Sequence, residues 1–148
     1  MIGESNMKKY KIGYTAGIYD MFHIGHLNLL KRAKEHCEYL IVGVTTDELA
    51  QYKNKKPIIP YSDRKQIVEA IRYVDSVVPQ ENMDKLAACK RLHADVIFVG
   101  DDWKGTEKWN KIEQDLATIG ADVVYFPYTK GISSTIIRER LLKDNFSS

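Results

Sequence analysis

Residues 17–26 read GIYDMFHIGH, and this stretch decides how the chain folds. An apolar run from Tyr10 to Ala16, which we predict to be a strand, precedes it. A stripe at helical spacing follows it, made of His26, Leu29, Leu30, Ala33 and Cys37. The stretch therefore predicts a turn from a first strand into a first helix whose apolar face packs against a sheet.

The same alternation of a short apolar run with a stripe at helical spacing recurs along the chain, and it predicts an α/β fold. Further strands are predicted at Tyr39 to Thr45, Ser76 to Val78, Asp95 to Val99 and Asp122 to Phe126. Helical stripes lie between these runs, as in βαβ units with a parallel sheet. We predict a single Rossmann-like, doubly wound domain with a five-stranded parallel sheet, whose ligands bind at the carboxyl ends of the strands.

Helix boundaries are predicted from residues that start or stop helices. Ser62 and Asn82 are the predicted caps of two helices, Gly120 stops a third, and a last helix starts near Ser133. Trp109 in the third helix is predicted to be a core residue. The other apolar members of these stripes are Ile67, Val68 and Ile71; Met83, Leu86 and Ala87; and Ile112, Leu116 and Ile119.

Composition narrows the class of protein. The chain has 148 residues, 44% of them hydrophobic, which suits one domain at residues 8–148 behind a flexible leader at residues 1–7. Its 22 Lys and Arg against 20 Asp and Glu give a charge of only +2, which disfavours a nucleic-acid partner. No run approaches the roughly 18 apolar residues of a membrane span, and no signal peptide is visible, so we expect a cytoplasmic protein without membrane insertion.

The two cysteines do not indicate a metal site. Cys37 and Cys89 lack CxxC or Cys/His spacing. We expect both to be buried or half-buried free thiols, and we expect no metal site made by the protein alone.

The two histidines of the opening stretch point to phosphate chemistry. His23 and His26 are three residues apart at the start of a helix, so they share one face. A helix N-terminus offers unpaired N–H groups and a partial positive charge, and Gly25 leaves room for a phosphate. Imidazole N–H groups there can stabilise the charge of a phosphoryl-transfer transition state without acting as bases. Neither G-x-G-x-x-G nor G-x-x-x-x-G-K-[ST] is present, which argues against dinucleotide dehydrogenases and P-loop NTPases.

Four motifs, in order, resemble the small cytidylyltransferases of the HxGH nucleotidylyltransferase superfamily, and among them the branch that uses glycerol 3-phosphate. They are GIYDMFHIGHLNLLKRAKE, SDRKQIVEAIRYVD, GDDWKG and TKGISST, and the resemblance spans about Tyr10 to Leu141. The HxGH motif alone would indicate only the superfamily. The GDDW and GISST elements narrow the match.

The resemblance implies a nucleotide site at the first turn and at the fourth strand. Ile18 and Tyr19 would lie along the nucleotide through their backbone, and His23 and His26 would hold the CTP phosphates. Asp102 would lie near the nucleotide or its metal, whereas Asp101 and Trp103 would shape the turn.

A basic loop, QYKNKKP, follows the second strand and contains Lys53 and Lys55. Taken alone, a lysine run beside prolines is typical of a solvated loop. Beside a triphosphate, mobile ammonium groups can move in as charge develops. From the resemblance we expect Lys55 to bind the nucleotide and act in catalysis, and Lys53 and Lys85 to bind the acceptor substrate.

Arg64 lies at the start of its predicted helix, on the face that carries Val68 and Ile71. A charged residue there is either a surface arginine whose stem lies along apolar neighbours or a ligand contact. We predict a ligand contact with a catalytic role.

The last motif offers hydroxyl and N–H groups at a second helix N-terminus, which can hold the triphosphate. It departs from the family at one position, since Tyr128 stands where the family has arginine. We expect Lys130, two residues on in an extended segment, to replace that charge in part. The expected nucleotide contacts here are Tyr128, Thr129, Lys130, Gly131, Ser133, Ser134 and Thr135.

The implied reaction is attack by a phosphomonoester oxygen on the α-phosphorus of CTP, with Mg²⁺ bridging the phosphates and pyrophosphate leaving. Glycerol 3-phosphate is the leading acceptor. Phosphoethanolamine or phosphocholine, an adenylyl transfer to a cofactor precursor, and a nucleotide-binding module without catalysis stay open. The resemblance also implies a homodimer.

Overall fold

The computed structural model describes residues 9–127 and 134–146, and all side chains in these ranges except those of residues 134, 135 and 144–146. The expected leader, residues 1–7, lies outside the described residues. In chain order the elements are β1 (Tyr10–Gly17), α1 (Ile24–Glu35), β2 (Cys37–Thr45), α2 (Asp47–Tyr52), α3 (Tyr61–Glu69), β3 (Ser76–Gln80), α4 (Lys85–Leu92), β4 (Val96–Gly100), a 3₁₀ turn (Asp101–Trp103), α5 (Glu107–Ala117), β5 (Asp122–Phe126) and α6 (Ser134–Phe146).

The five described strands form one parallel sheet in the order β3-β2-β1-β4-β5. Strand β1 lies at the centre, where Tyr14 pairs with Ile41 of β2 on one side and with Ile97 of β4 on the other. The strand order reverses between β1 and β4, and ligands of open α/β sheets bind at such a point. The predicted fold class is confirmed.

Helices cover both faces of the sheet. One core joins Leu30 of α1 and Val68 of α3 to Val42 and Phe98 of the strands. The other core joins Cys89 of α4 and Trp109 of α5 to Ile97, the sequence neighbour of Phe98. Successive strand residues point to opposite faces, so one short strand serves both cores. Trp109 is 5% exposed, as expected of a core residue.

Three predicted helical stripes run past the ends of their helices, and one of them is that of α3, which ends at Glu69 and leaves Ile71 outside. Cys37 continues the stripe of α1 by spacing, but the helix ends at Glu35 and Cys37 opens β2, where its thiol donates to the carbonyl of Ala33 at 3.3 Å. Ile119 likewise lies beyond the last residue of α5. Gly120 stops this segment as predicted, in a left-handed conformation with φ of 73°.

The two predicted caps are also corrected. Asp84 caps α4 by accepting from the N–H of Ala87 at 2.9 Å. Asn82 instead accepts from the N–H of Asp84 at 3.0 Å, and Met83 lies outside the helix. Helix α3 begins at Tyr61, so Ser62 is inside it.

Both cysteines are buried, as expected. No helix in the described part of the chain is long and apolar enough to cross a membrane.

Candidate active site

The turn between β1 and α1 is held in an unusual conformation. Tyr19 and Met21 adopt left-handed backbone angles, with φ of 55° and 48°. Such angles cost other residues than glycine of order 1–3 kcal/mol each and persist only where contacts impose them. The Tyr19 ring lies 6.3 Å from that of Phe22 and 5.3 Å from that of His26, measured between centroids. The turn therefore supplies a rigid aromatic support for His26.

Gly17 makes room for this support. A Cβ atom at Gly17 would lie 3.1 Å from the Tyr19 ring, which is closer than most side chains tolerate. The glycine at the end of β1 thus permits the buried position of Tyr19.

The two histidines cap the first helix reciprocally. His23 is the N-cap residue of α1, and its Nδ1 accepts from the N–H of Gly25 at 3.1 Å. The Nδ1 of His26 accepts from the N–H of His23 at 3.2 Å. The rings are stacked with centroids 3.8 Å apart. Because each Nδ1 accepts a hydrogen bond, the proton of each neutral ring is on Nε2.

This arrangement corrects one expectation about the helix N-terminus. The backbone N–H groups that the motif was expected to leave unpaired are partly taken by the imidazoles, because the His23 side chain accepts from the first turn and the His26 side chain accepts from the cap. The donors offered to a ligand are therefore the Nε2–H groups, supported by the helix dipole behind them.

Both imidazoles are neutral at pH 7. Burial lowers the pKa of His23 below its ordinary value of 6.5. Burial and the neighbouring His23 lower the pKa of His26 to about 4, although Asp20 acts in the opposite direction. The pair can thus donate hydrogen bonds to a phosphate without first losing or gaining a proton.

Asp20, which the sequence did not single out, holds three segments together at this turn. It is 2% exposed and accepts from the N–H groups of Ile58 and Ile59, each at 2.9 Å. Arg138 of α6 forms an ion pair with it. Asp20 thus joins the first turn to the segment before α3 and to the last helix. The only available signal was that it is the one carboxylate between Gly17 and Glu35.

We expect Asp20→Asn to lower the free energy of unfolding by about 1–3 kcal/mol at pH 7, because a buried acceptor of three donors loses its charge. Burial by itself raises the pKa of Asp20, but the amides of Ile58 and Ile59 and the Arg138 guanidinium lower it below 3.8 overall. Because the pKa of Asp20 is lower in the folded protein, its charge stabilises the fold at pH values above the ordinary pKa of 3.8. This stabilisation is lost as the pH falls through the pKa of the folded protein. Urea unfolding should therefore show a smaller difference in the free energy of unfolding between the wild type and Asp20→Asn at pH 3 than at pH 7.

Asp63→Asn is the matched control for this prediction, because Asp63 is exposed in the first turn of α3. It should change stability by less than about 0.5 kcal/mol. A difference between the wild type and Asp20→Asn that does not shrink at pH 3 would contradict the role of the charge.

Arg64 lies near the start of α3, and its side chain is fully buried. Its guanidinium donates to the carbonyls of Ile59, Ile18 and Thr45 at 2.7–2.8 Å and to the Asp47 carboxylate at 2.6 Å. Four of its five N–H donors are used on the protein, where they fix the backbone at the ends of β1 and β2. The ligand contact and the catalytic role of Arg64 stay predictions.

Ile18 and Tyr19 lie at the carboxyl end of β1, as the nucleotide contacts were expected to. The carbonyl of Ile18 accepts a hydrogen bond from Arg64, which fixes the backbone at this end of β1. The backbone around the turn is therefore held from two sides, by Arg64 and by Asp20.

The basic residues lie at the same edge of the sheet. Lys53 ends α2 and is half-buried, and Lys55 is exposed. Burial and the charges of Lys108 and Lys55 lower the pKa of Lys53. Burial and the charges of Lys53 and Lys108 lower the pKa of Lys85 to about 8, while the Cys89 thiol acts against this. The charges of Lys53 and Lys85 therefore act on each other in the structure, and Lys108, which the sequence did not single out, acts on both.

Asp101, Asp102 and Trp103 form the 3₁₀ turn directly after β4, and all three are exposed. Within the described residues, no hydrogen bond or ion pair joins Asp102 to the histidines. The described residues also contain no group of three His, Cys, Asp or Glu side chains that could hold a metal ion.

The last motif is only partly visible. Tyr128, Thr129, Lys130, Gly131 and Ser133 lie outside the described residues. The backbone of Ser134 and Thr135 begins α6, and their side chains lie outside what the structure describes. The expected nucleotide contacts of this motif stay predictions.

Comparison with known families identifies the protein family of this chain. A family model described as Cytidylyltransferase-like matches residues 14–140. The chain belongs to the cytidylyltransferase-like family. This confirms the resemblance seen in the motifs, and the match includes the histidine pair, Arg64, the lysines and the start of α6.

Several known proteins are similar to this chain over most of their length. A glycerol-3-phosphate cytidylyltransferase of Staphylococcus aureus is 41% identical over 128 residues, which cover 86% of this chain and 92% of the relative. An FAD synthase of Thermococcus kodakarensis is 35% identical, covering 84% of this chain and 85% of the relative. A lipopolysaccharide core biosynthesis protein of Thermoplasma volcanium shares the fold, with a TM-score of 0.69 at 24% identity, over 83% of this chain and 99% of that structure.

Proposed function

We propose that this enzyme transfers CMP from CTP to glycerol 3-phosphate, giving CDP-glycerol and pyrophosphate. The observation that carries the proposal is the reciprocally capped histidine pair, whose geometry directs two neutral Nε2–H donors away from the helix at the switch point of the sheet. An oxygen of glycerol 3-phosphate attacks the α-phosphorus of CTP, and the bond from that phosphorus to the pyrophosphate oxygen breaks. No general base is needed, since the phosphomonoester is already largely dianionic near neutral pH.

In this proposal, catalysis comes from positioning and charge stabilisation. His23 and His26 donate to phosphate oxygens of CTP on which negative charge grows. Lys55, exposed after α2, supplies a mobile positive charge to the same phosphates. The residues of the last motif, from Tyr128 to Thr135, are proposed to bind the rest of the triphosphate, with Lys130 in part replacing the family arginine.

Mg²⁺ is proposed to enter with the nucleotide. Magnesium keeps several waters and needs only one or two protein carboxylates beside the phosphates. The exposed carboxylate of Asp102 at the end of β4 fits this requirement. When bound, the ion would neutralise part of the charge on the phosphates.

The acceptor is proposed from two lines of support. Lys53 and Lys85 bring positive charge to the sheet edge next to the nucleotide loop, as a phosphomonoester requires. The relative in Staphylococcus aureus is a glycerol-3-phosphate cytidylyltransferase at 41% identity. Glycerol 3-phosphate is therefore the acceptor that we propose for this chain.

A second candidate is adenylyl transfer of the FAD synthase type, which the 35% identical relative favours. The same histidine pair would serve it, because the phosphates of CTP and ATP are alike. The two candidates differ in the base of the nucleotide and in the acceptor.

One assay separates the two. Pyrophosphate release should be measured with Mg²⁺ and either CTP or ATP, against glycerol 3-phosphate, phosphoethanolamine, phosphocholine and FMN. Release with CTP and glycerol 3-phosphate, and formation of CDP-glycerol, are the expected results. Release only with ATP and FMN would favour the second candidate, and no release with any pair would reject both.

We expect the KM for glycerol 3-phosphate to rise several-fold between pH 7 and pH 9. Lys85 has a pKa of about 8 and faces Lys53 and Lys108 from other elements and Cys89 from its own helix. Below that pKa the ammonium group attracts the dianion, and above it the attraction is lost. The Lys85→Arg variant, whose guanidinium stays charged, should lose this rise. An equal rise in Lys85→Arg would show that another group titrates.

We also propose that the protein is a homodimer, as the family resemblance implies. Size-exclusion chromatography with light scattering should give twice the mass of the chain, and the mass of one chain would contradict it.

A further inference from the structure

Three lysines from three elements lie at one edge of the sheet, near enough for their charges to act on one another. Lys53 follows β2 at the end of α2, Lys85 is the first residue of α4, and Lys108 is the second residue of α5. Helices α4 and α5 pack on each other, and each starts after a strand of the same parallel sheet, so their first turns lie at the same edge of that sheet. These turns follow the carboxyl ends of β3 and β4, where a ligand of this fold binds.

Lys108 is oriented by an aromatic neighbour. Its Nζ lies 5.7 Å from the centroid of the Trp103 ring, in the 3₁₀ turn after β4. The hydroxyl of Thr106 caps α5 and donates to the carbonyl of Trp103 at 2.8 Å, which ties the first turn of α5 to this 3₁₀ turn. The exposed ammonium group of Lys108 therefore lies beside the 3₁₀ turn that follows the carboxyl end of β4.

The three charges are not neutralised by ion pairs in the described part of the chain. The ion pairs there involve Lys34, Arg64, Lys111 and Arg138. Lys85 and Lys108 also stand at helix N-termini, where the helix dipole disfavours a cation. Charges placed against both repulsion and the dipole are typical of a site that binds an anion.

We propose that Lys108 is a third lysine of the acceptor site and selects phosphomonoesters that carry no cationic group. The inference rests on the proposed function and deepens it. Glycerol 3-phosphate brings a dianionic phosphate and two neutral hydroxyl groups, which three ammonium groups accommodate. Phosphoethanolamine and phosphocholine bring a positive charge to the same edge of the sheet, where Lys108 repels it.

The test compares Lys108→Gln with Lys111→Gln. Glutamine is one atom shorter than lysine and keeps its helix propensity but not its charge. Lys111 lies on the same helix and pairs with Asp115 at 2.8 Å, so it is the matched control. Lys108→Gln should raise the KM for glycerol 3-phosphate about tenfold, the loss of one charged hydrogen bond, and leave the KM for CTP within about twofold. Lys111→Gln should leave both unchanged.

Selectivity is read from the ratio of kcat/KM for glycerol 3-phosphate to that for phosphoethanolamine. Lys108→Gln should lower this ratio about tenfold, and Lys108→Glu should lower it further, because a carboxylate attracts the ethanolamine ammonium group. An unchanged KM and ratio in Lys108→Gln would overturn the inference. So would equal rises in the KM for CTP and for glycerol 3-phosphate, since Lys108 would then serve the nucleotide.

A binding measurement separates this inference from the proposed function. Glycerol 3-phosphate is titrated calorimetrically into the wild type and into Lys108→Gln, with CTP absent. Binding that weakens in the variant supports the lysine site even if no transfer is seen, a result that would reject the proposed function alone. Transfer by the wild type with equal binding by the two proteins would reject the inference alone. A wild type that neither binds nor transfers would reject both.

Discussion

Replacing either histidine of the pair by asparagine is expected to lower kcat for CMP transfer by about 10²- to 10³-fold while the protein stays folded. Asparagine places its amide oxygen near the position of Nδ1, so it can still accept the N–H bonds that close the first turn of α1. It lacks the distal Nε2–H group that we assign to the phosphates. The substitution therefore separates helix capping from catalysis.

Glutamine and alanine variants sharpen this test. His23→Gln and His26→Gln place an amide donor near Nε2 and should keep more activity than the asparagine variants. His23→Ala loses both roles and should also lose about 0.5–2 kcal/mol of stability through the missing cap. His93→Asn, at an exposed left-handed position at the end of α4, is the control and should behave as wild type. Asparagine variants that retain kcat within about threefold would show that the distal N–H groups are not used.

The sequence predicted the fold because the signals that define it are local. Each strand of the sheet is a short apolar run, and each helix is a stripe at a different period, so their alternation specifies a parallel sheet. The ends of the elements were less predictable. Asn82 and Asp84 are both good caps two residues apart, and only the three-dimensional turn decides that Asp84 accepts the helix N–H.

At the start of α3, the helix cap was predicted wrongly because the residue that accepts the first N–H is distant in sequence. The N–H of Tyr61 donates to the Asp47 carboxylate of α2 at 3.1 Å, across a loop, so α3 needs no capping side chain of its own. A prediction from local sequence looks for the cap next to the helix and finds Ser62. The true partner is 14 residues away.

The candidate site also contains features that local sequence predicts and features that depend on distant residues. The spacing of His23 and His26 predicted that they share a face, and the structure shows their rings stacked. The partners of Asp20 and Arg64 are distant in sequence, with Arg138 lying 118 residues from Asp20 and Ile18 lying 46 residues from Arg64. Pattern reasoning could identify Arg64 as an unusual charge on an apolar face. It could not tell whether that charge faces a ligand or the backbone.

Replacing Arg64 by methionine is expected to lower the free energy of unfolding by about 3–5 kcal/mol, among the largest effects that one substitution can have. Methionine replaces the apolar stem of arginine but removes the donors to the carbonyls of Ile18, Thr45 and Ile59. A buried acceptor left without a partner costs about 1–3 kcal/mol, which applies in full to the Thr45 carbonyl and in part to the half-buried carbonyls of Ile18 and Ile59. The Asp47 carboxylate contributes less, because its side chain is half-exposed and water can replace the guanidinium.

The variant Arg64→Lys tests whether geometry or charge matters. An ammonium group keeps the charge but cannot reach acceptors on three sides as the planar guanidinium does, so it should recover only a small part of the loss. Arg140→Met, on the exposed side of α6, is the control and should change stability by less than about 0.5 kcal/mol. Urea unfolding at 10 °C keeps a native baseline for the weakened protein. A loss below about 1 kcal/mol in Arg64→Met would contradict the anchoring role, and full recovery in Arg64→Lys would assign the effect to charge alone.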